Sequence, residues 1–154
     1  MVEHTHAVLK ELKEFENAIL DGESSVRGFA LVQDVRFIKS YVPDRDSAFN
    51  KLATLHRLTG DNPSQISRIN ELDSLATKRF ALLQQIINET NKGRFSPDDN
   101  TLIVDGERVM SAIKSIISQA IQEEMNLMTI RNGMVKQSAY QSGATIFIFS
   151  LLVI

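Results

Sequence analysis

Glu23 and Arg27 stand four residues apart with the carboxylate on the N-terminal side, the favourable order for an ion pair along one helix face. Exposed, such a pair contributes only about 0.3–0.5 kcal/mol. Two other chemistries are open to Arg27. It can reach Glu124 or another carboxylate on a neighbouring helix and fix the register between them, or it can bind an anionic ligand. The structural roles outweigh ligand binding, because a guanidinium is a good interhelical hydrogen-bonding group in any bundle. Arg27 is still the candidate if a ligand site exists.

The remaining reactive residue types point away from chemistry. His4 and His6 are two apart, which puts them on different helix faces, and His56 has no His or carboxylate at i±4. No metal site is expected. Asp98, Asp99 and Asn100 are turn formers that need no cation. Met110, Met125, Met128 and Met134 recur at roughly helical spacing and read as core filler. The chain has no Cys, no Gly-rich phosphate loop and no His–carboxylate cluster. Neither catalysis nor a cofactor is expected of these residues.

Composition bounds the class. The 154 residues fit one domain, with 43% apolar and 23% charged side chains, ordinary for a folded protein. A net charge of -2 offers no basic surface for nucleic acid. Seven Gly and three Pro are few, which favours long helices over a turn-rich β fold. The absence of thiols is compatible with any redox compartment.

Those residues must be positioned by helices. From about Glu3 into the low thirties, Val8, Leu12, Phe15, Ile19, Gly22, Val26 and Phe29 repeat at spacings of four and three, a seam for packing one helix along another. Gly28 within it is expected to let a neighbouring backbone approach. A second segment is predicted from near Asp34, with Pro43 stopping or kinking it and Asp44 or Asp46 restarting it. Ala48, Leu52 and Leu55 are its buried stripe, with Phe49 and Leu58 beside it, and Gly60 its left-handed stop. Asn62, Pro63 and Gln65 form a strong helix start, with Gln65 in the capping-box position. The third helix carries Ile66, Ile69, Leu72, Leu75, Ala76, Phe80, Leu83, Ile86 and Ile87, and ends at Lys92 and Gly93. Asp105 is expected to cap the fourth, with a stripe of Val109, Ile113, Ile116, Ala120, Leu127 and Met134. The prediction is all-α: an up-down-up-down four-helix bundle with long first and fourth helices.

The fourth helix runs into an apolar tail. Lys136 is the last charged residue, and from Gly143 the chain reads Gly143-Ala-Thr-Ile-Phe-Ile-Phe-Ser-Leu-Leu-Val-Ile154. A span needs about 20 apolar residues, so the tail reads as the start of a truncated transmembrane helix. Residues 1–141 then form the water-facing domain and 142–154 enter the bilayer. Arg131, Lys136 and Tyr140 read as interfacial anchors. Val2 begins in mid-pattern without a cap, which suggests a segment before it.

At Glu23 the sequence becomes specific. Glu23-Ser-Ser-Val-Arg27-Gly28-Phe29-Ala-Leu31, followed by Asp34 and Phe37, resembles the signature of the third type of CHASE sensor domain, with Ser25 and Gln33 where that family usually has Gly. Leu58 to Gln65 resembles its entry into the third helix. Glu124, Leu127, Met128 and Arg131 resemble its Glu-x-x-Leu-Leu-x-x-Arg pattern. The resemblance implies an extracytoplasmic four-helix input domain of a bacterial membrane receptor, a histidine kinase in the leading reading, working as a homodimer, with no catalytic residues of its own and an unknown small-molecule or protein ligand. It marks Glu23, Arg27, Gly28, Phe29, Asp34, Glu124 and Arg131 as signature residues with structural roles. The expected location is the bacterial inner membrane, with the domain on the periplasmic side. The alternative is a soluble helical-bundle interaction module with the tail packed inside.

Overall fold

The computed structural model describes residues 2–96 and 101–151, without the side chains of Val2, Arg131, Asn132 and 134–151. Four helices follow in order: α1 (Val2–Val32), α2 (Tyr41–Leu58), α3 (Pro63–Asn91) and α4 (Thr101–Leu151). The described residues contain no strand.

The α1 seam is buried along its whole length, with Val8, Leu12, Phe15 and Ile19 fully enclosed. Leu52 and Leu55 of α2, Ile69, Leu72 and Leu83 of α3, and Ile113 and Ile116 of α4 complete one core. Contacts across the helices run in opposite senses. Lys51 of α2 meets Glu11 and Glu14 of α1, and Gln65 at the start of α3 meets Ala120 of α4. The bundle is therefore up-down-up-down. Among the described residues α1 and α3 also pack on each other, whereas α2 and α4 stay apart on the long diagonal.

Two boundaries differ from expectation. α2 starts at Tyr41, not near Asp34, because residues 33–40 form turns. Gln33 takes a left-handed φ of 56° and its N–H bonds the Phe29 carbonyl at 2.7 Å. Asp34 then accepts from the Arg36 backbone N–H at 2.9 Å and from Arg36 Nε at 2.7 Å, closing the turn. Pro43 lies in the first turn of α2, where no backbone donor is missed, so it neither stops nor kinks the helix. α4 is helical from Thr101, so Asp105 does not cap it; Asp105 accepts from Arg108 instead.

Caps explain the other ends. Asn62 accepts from the backbone N–H groups of Ser64 and Gln65 at 3.1 and 3.3 Å, with Pro63 at the first helical position. The Gln65 side chain does not complete a capping box, because it points inward to α4. α3 ends through Gly93 at φ 65°. Gly60 does not adopt a positive φ, and α2 closes through Thr59, whose N–H and hydroxyl both donate to the Leu55 carbonyl at 2.9 Å.

The methionines divide. Met110 is core, Met128 is half-buried and Met125 is exposed, so Met125 is not filler. The side chain of Met134 lies outside the described residues, as does the loop of Pro97 to Asn100.

Candidate functional site

Polar residues enter the core at the two poles of the bundle, each time at a position that the hydrophobic repeat would give to an apolar residue. The lower pole holds the start of α1, the α2–α3 turn and the middle of α4. There Glu124 is 2% exposed. Its carboxylate accepts from Gln65 Nε2 at 3.0 Å and from Thr5 Oγ1 at 3.4 Å. Gln65 also donates to the Ala120 carbonyl at 3.0 Å. The layer ties α1, α3 and α4 together, and among the described residues no cation is a hydrogen-bond partner of it. One residue earlier, Glu123 points outward into a cluster at the start of α3, accepting from Asn62 Nδ2 at 3.0 Å, Ser64 Oγ at 2.8 Å and Arg68. Burial alone would raise the Glu123 carboxyl; the donors and the Arg68 charge overcome it and hold it below the usual value.

At the upper pole, where α1 ends and α4 begins, the buried cation is Arg79 of α3, 5% exposed. Arg79 Nη2 donates to Glu23 Oε2 at 2.8 Å, and Arg27 Nη2 takes the other oxygen of Glu23 at 3.0 Å. Gly106 of α4 makes room for the guanidinium: a Cβ there would collide with Arg79 Nη1. Losing one partner of a buried pair of this kind costs about 3–5 kcal/mol, since an unpaired charge stays behind. Beside the pair lies a cavity of about 140 Å³. Val26, Ala30, Leu83 and Ile86 form its apolar wall, and Glu23, Arg27, Arg79 and Glu107 its polar rim.

The signature residues thus have distinct places. Glu23 is the joint between Arg27 and Arg79. Arg27 reaches its own helix partner, not Glu124, because the two stand at opposite poles. Gly28 accommodates a side chain, the Phe37 ring, where a backbone was expected; a Cβ would stand 2.5 Å from Phe37 Cδ1. Phe29 is core, Asp34 closes the turn, and Glu124 is the buried carboxylate. Arg131 is on the α4 backbone, with its side chain outside the described residues.

Sequence reasoning passed over Arg79 and Gly106, and gave Gln65 a capping role in place of its buried one. All three were visible in the repeat. Gln65, Ile69, Leu72, Ala76, Arg79, Leu83 and Ile86 keep the alternation of four and three along α3, and Gly106, Val109 and Ile113 keep it along α4. A polar residue in phase with a buried seam is a candidate for a buried network. Among the described residues no group of three or more His, Cys, Asp or Glu could hold a metal ion.

Two polar sites share one core, and the backbone of α4 belongs to both and continues past them, the arrangement of an all-helical four-helix domain. Its family follows from comparison: the CHASE3 domain profile matches residues 1–134, and the chain belongs to that family. The chain is also similar to the sensor domain of the histidine kinase HK9 from Rhodopseudomonas palustris, solved as a crystal structure. The match has 27% identity and a TM-score of 0.72 and covers 79% of this chain and 96% of that one. No curated protein matches the chain. The chain is a sensor input domain of a receptor, all-helical and built on four helices.

Proposed function

We propose that this domain stands outside the cytoplasm, on the periplasmic side of a bacterial inner membrane. In this reading residues 1–141 form the sensing bundle and residues 142–154 begin a transmembrane segment. α4 passes the stimulus to a cytoplasmic output module, by analogy with the similar structure a histidine kinase. Two copies pair in the receptor, held together in part by the lipid-embedded segments.

One observation carries the reading. The α4 backbone is helical for 51 residues, from Thr101 to Leu151, about 75 Å at 1.5 Å per residue. Met128 is the last of its described side chains that is even half-buried. A helix that runs without a break from the packed bundle to Leu151 acts as a shaft in this reading, and a slide or tilt at its packed end appears at the other. Among the described residues no helix has an apolar window long enough to cross a membrane. The span is inferred from the apolar run after Gly143 and from the family. Packed helices switch between discrete arrangements, and a stimulus acts by favouring one of them.

Thr129 is exposed on α4 beyond the Glu124 layer, and its hydroxyl bonds the Met125 carbonyl at 3.0 Å. Thr129→Pro removes the backbone bond there and clashes with the preceding turn, at a cost of about 3 kcal/mol to the helix. Circular dichroism should show the bundle still folded, while output of the full-length receptor loses its dependence on the stimulus. Receptors with this change that respond normally would refute the continuous shaft.

A further inference from the structure

α1 and α4 meet along one edge of the bundle, and apolar surface stays open to solvent on both sides of it. On α1, Leu9, Leu20 and Leu31 follow one another at intervals of eleven residues, about three helical turns, so they share a face. Leu31 is 69% exposed, and Leu9 and Leu20 are half-buried. On α4, Ile103 and Met125 are 40% and 43% exposed, with the half-buried Ile121 on the same face. The two rows border each other. Leu31 and Ile103 line one cleft at the upper pole. At the lower pole Thr5, one turn before Leu9, bonds Glu124, which is next to Met125.

The charges on this edge are opposite across it. Arg27 lies one turn from Leu31 and Glu107 one turn from Ile103; both side chains are exposed and border the same cleft. α1 and α4 are antiparallel neighbours, so a two-fold rotation about an axis along the bundle sets α1 of one copy beside α4 of the other without a change of height. Leu31 then meets Ile103, Arg27 meets Glu107, and Leu9 meets Met125. Apolar residues fall on apolar ones and the cation falls on the anion, twice over, which is what a contact between identical faces requires.

We propose that the α1–α4 edge is the face through which two copies of this chain pair. The inference rests on the reading that the copies pair in a membrane, and it names the surface they use. Tails entering one bilayer hold two copies parallel and level, so this edge of one copy is presented to the same edge of the other at matching height. Pairing covers the mouth of the upper cleft and the Leu31 and Ile103 side chains at its lip. It also sets α4 of each copy against α1 of its neighbour, so a shift of one shaft bears on the other.

The test uses full-length receptors carrying two different affinity tags, co-expressed and captured by one tag from solubilised membranes. Arg27→Glu in one version and Glu107→Arg in the other put like charges together in each variant's own pairs. A mixed pair restores both contacts, one reversed and one native. Mixed pairs should therefore exceed like pairs by about fivefold, the factor for two exposed ion pairs, whereas an ion pair within one chain would give no preference. Cysteines supply a second measurement, because these 154 residues contain none; any elsewhere in the receptor are replaced by serine. Leu31→Cys in one version and Ile103→Cys in the other should join as a disulfide dimer on mild oxidation. Val42→Cys, exposed on α2, should not join to Ile103→Cys. Should the charge variants fail to fold, the cysteine pairs decide alone. Wild-type receptors that capture each other while mixed and like pairs are recovered equally, or while the Leu31–Ile103 disulfide is no stronger than the Val42 control, would overturn this face and leave the pairing reading intact. Wild-type receptors that do not capture each other at all would overturn both.

Discussion

Gln33 is the one non-glycine residue with a positive φ among the described residues, at 56°. A side chain in that region crowds its own carbonyl and costs about 1–2 kcal/mol. The turn persists because Asp34 and Phe29 hold it from both sides. Gln33→Gly should therefore raise stability, by roughly 0.5–1 kcal/mol once the greater freedom of glycine in the unfolded chain is subtracted. Urea denaturation with an unchanged slope checks this, and a destabilised variant would contradict the assigned strain. Residues of this kind were half legible. The Gly expected before Asp34 marked where the chain must turn, but the Val35-Phe37-Ile38-Tyr41 run looked helical and hid the turn's length. Arg79 was less legible still. Beside Lys78 it passes for half of a solvated basic pair, and only its phase in the α3 repeat separates the two.

At the scale of elements, the repeat carried nearly everything. All seven predicted seam residues of α1 are buried, because a period of three and four leaves one face for neighbours whatever the turns do. Helix ends were less secure, since they depend on local capping: Asn62 was readable from its side chain, whereas Thr59 and Tyr41 were not. The fit of α3 on α4 yields a prediction with an unusual sign. Glycine inside a helix normally costs about 1 kcal/mol against alanine, so Gly106→Ala should stabilise α4 on propensity alone. Here the added methyl meets the buried Arg79 guanidinium. The variant should instead lose about 1–3 kcal/mol, the range for overpacking a filled interior. Thermal melts of the two proteins decide, and a gain in Tm would mean that Arg79 moves aside freely.

For the whole molecule, acidity is the broadest lever. Glu14 is held below its usual value mainly by its bond from Lys51, Asp34 by Arg36 and Glu89 by Arg94, and Glu123 by the cluster at the start of α3. A carboxylate whose folded value is depressed contributes stability above its unfolded value, and that stability is lost as pH falls through the folded one. The melting temperature should thus decline progressively below about pH 4.5. Glu123→Gln should melt lower near neutrality and show a shallower acid decline than the wild type. An identical pH profile in the two proteins would remove Glu123 from the account. The fold class was legible at this scale because low Gly and Pro content and four striped segments leave few other arrangements. The cavity was not, since it is lined by Glu23, Arg79 and Glu107 from three separate helices.

Glu123 and Glu124 are sequence neighbours with opposite duties, one gripped from outside by the head of α3 and the other sunk beneath it. Adjacent residues on an α-helix point about 100° apart, so this doublet works like two teeth of a key. Turning the shaft about its own axis would drag one acid out of its lock and lift the other into solvent.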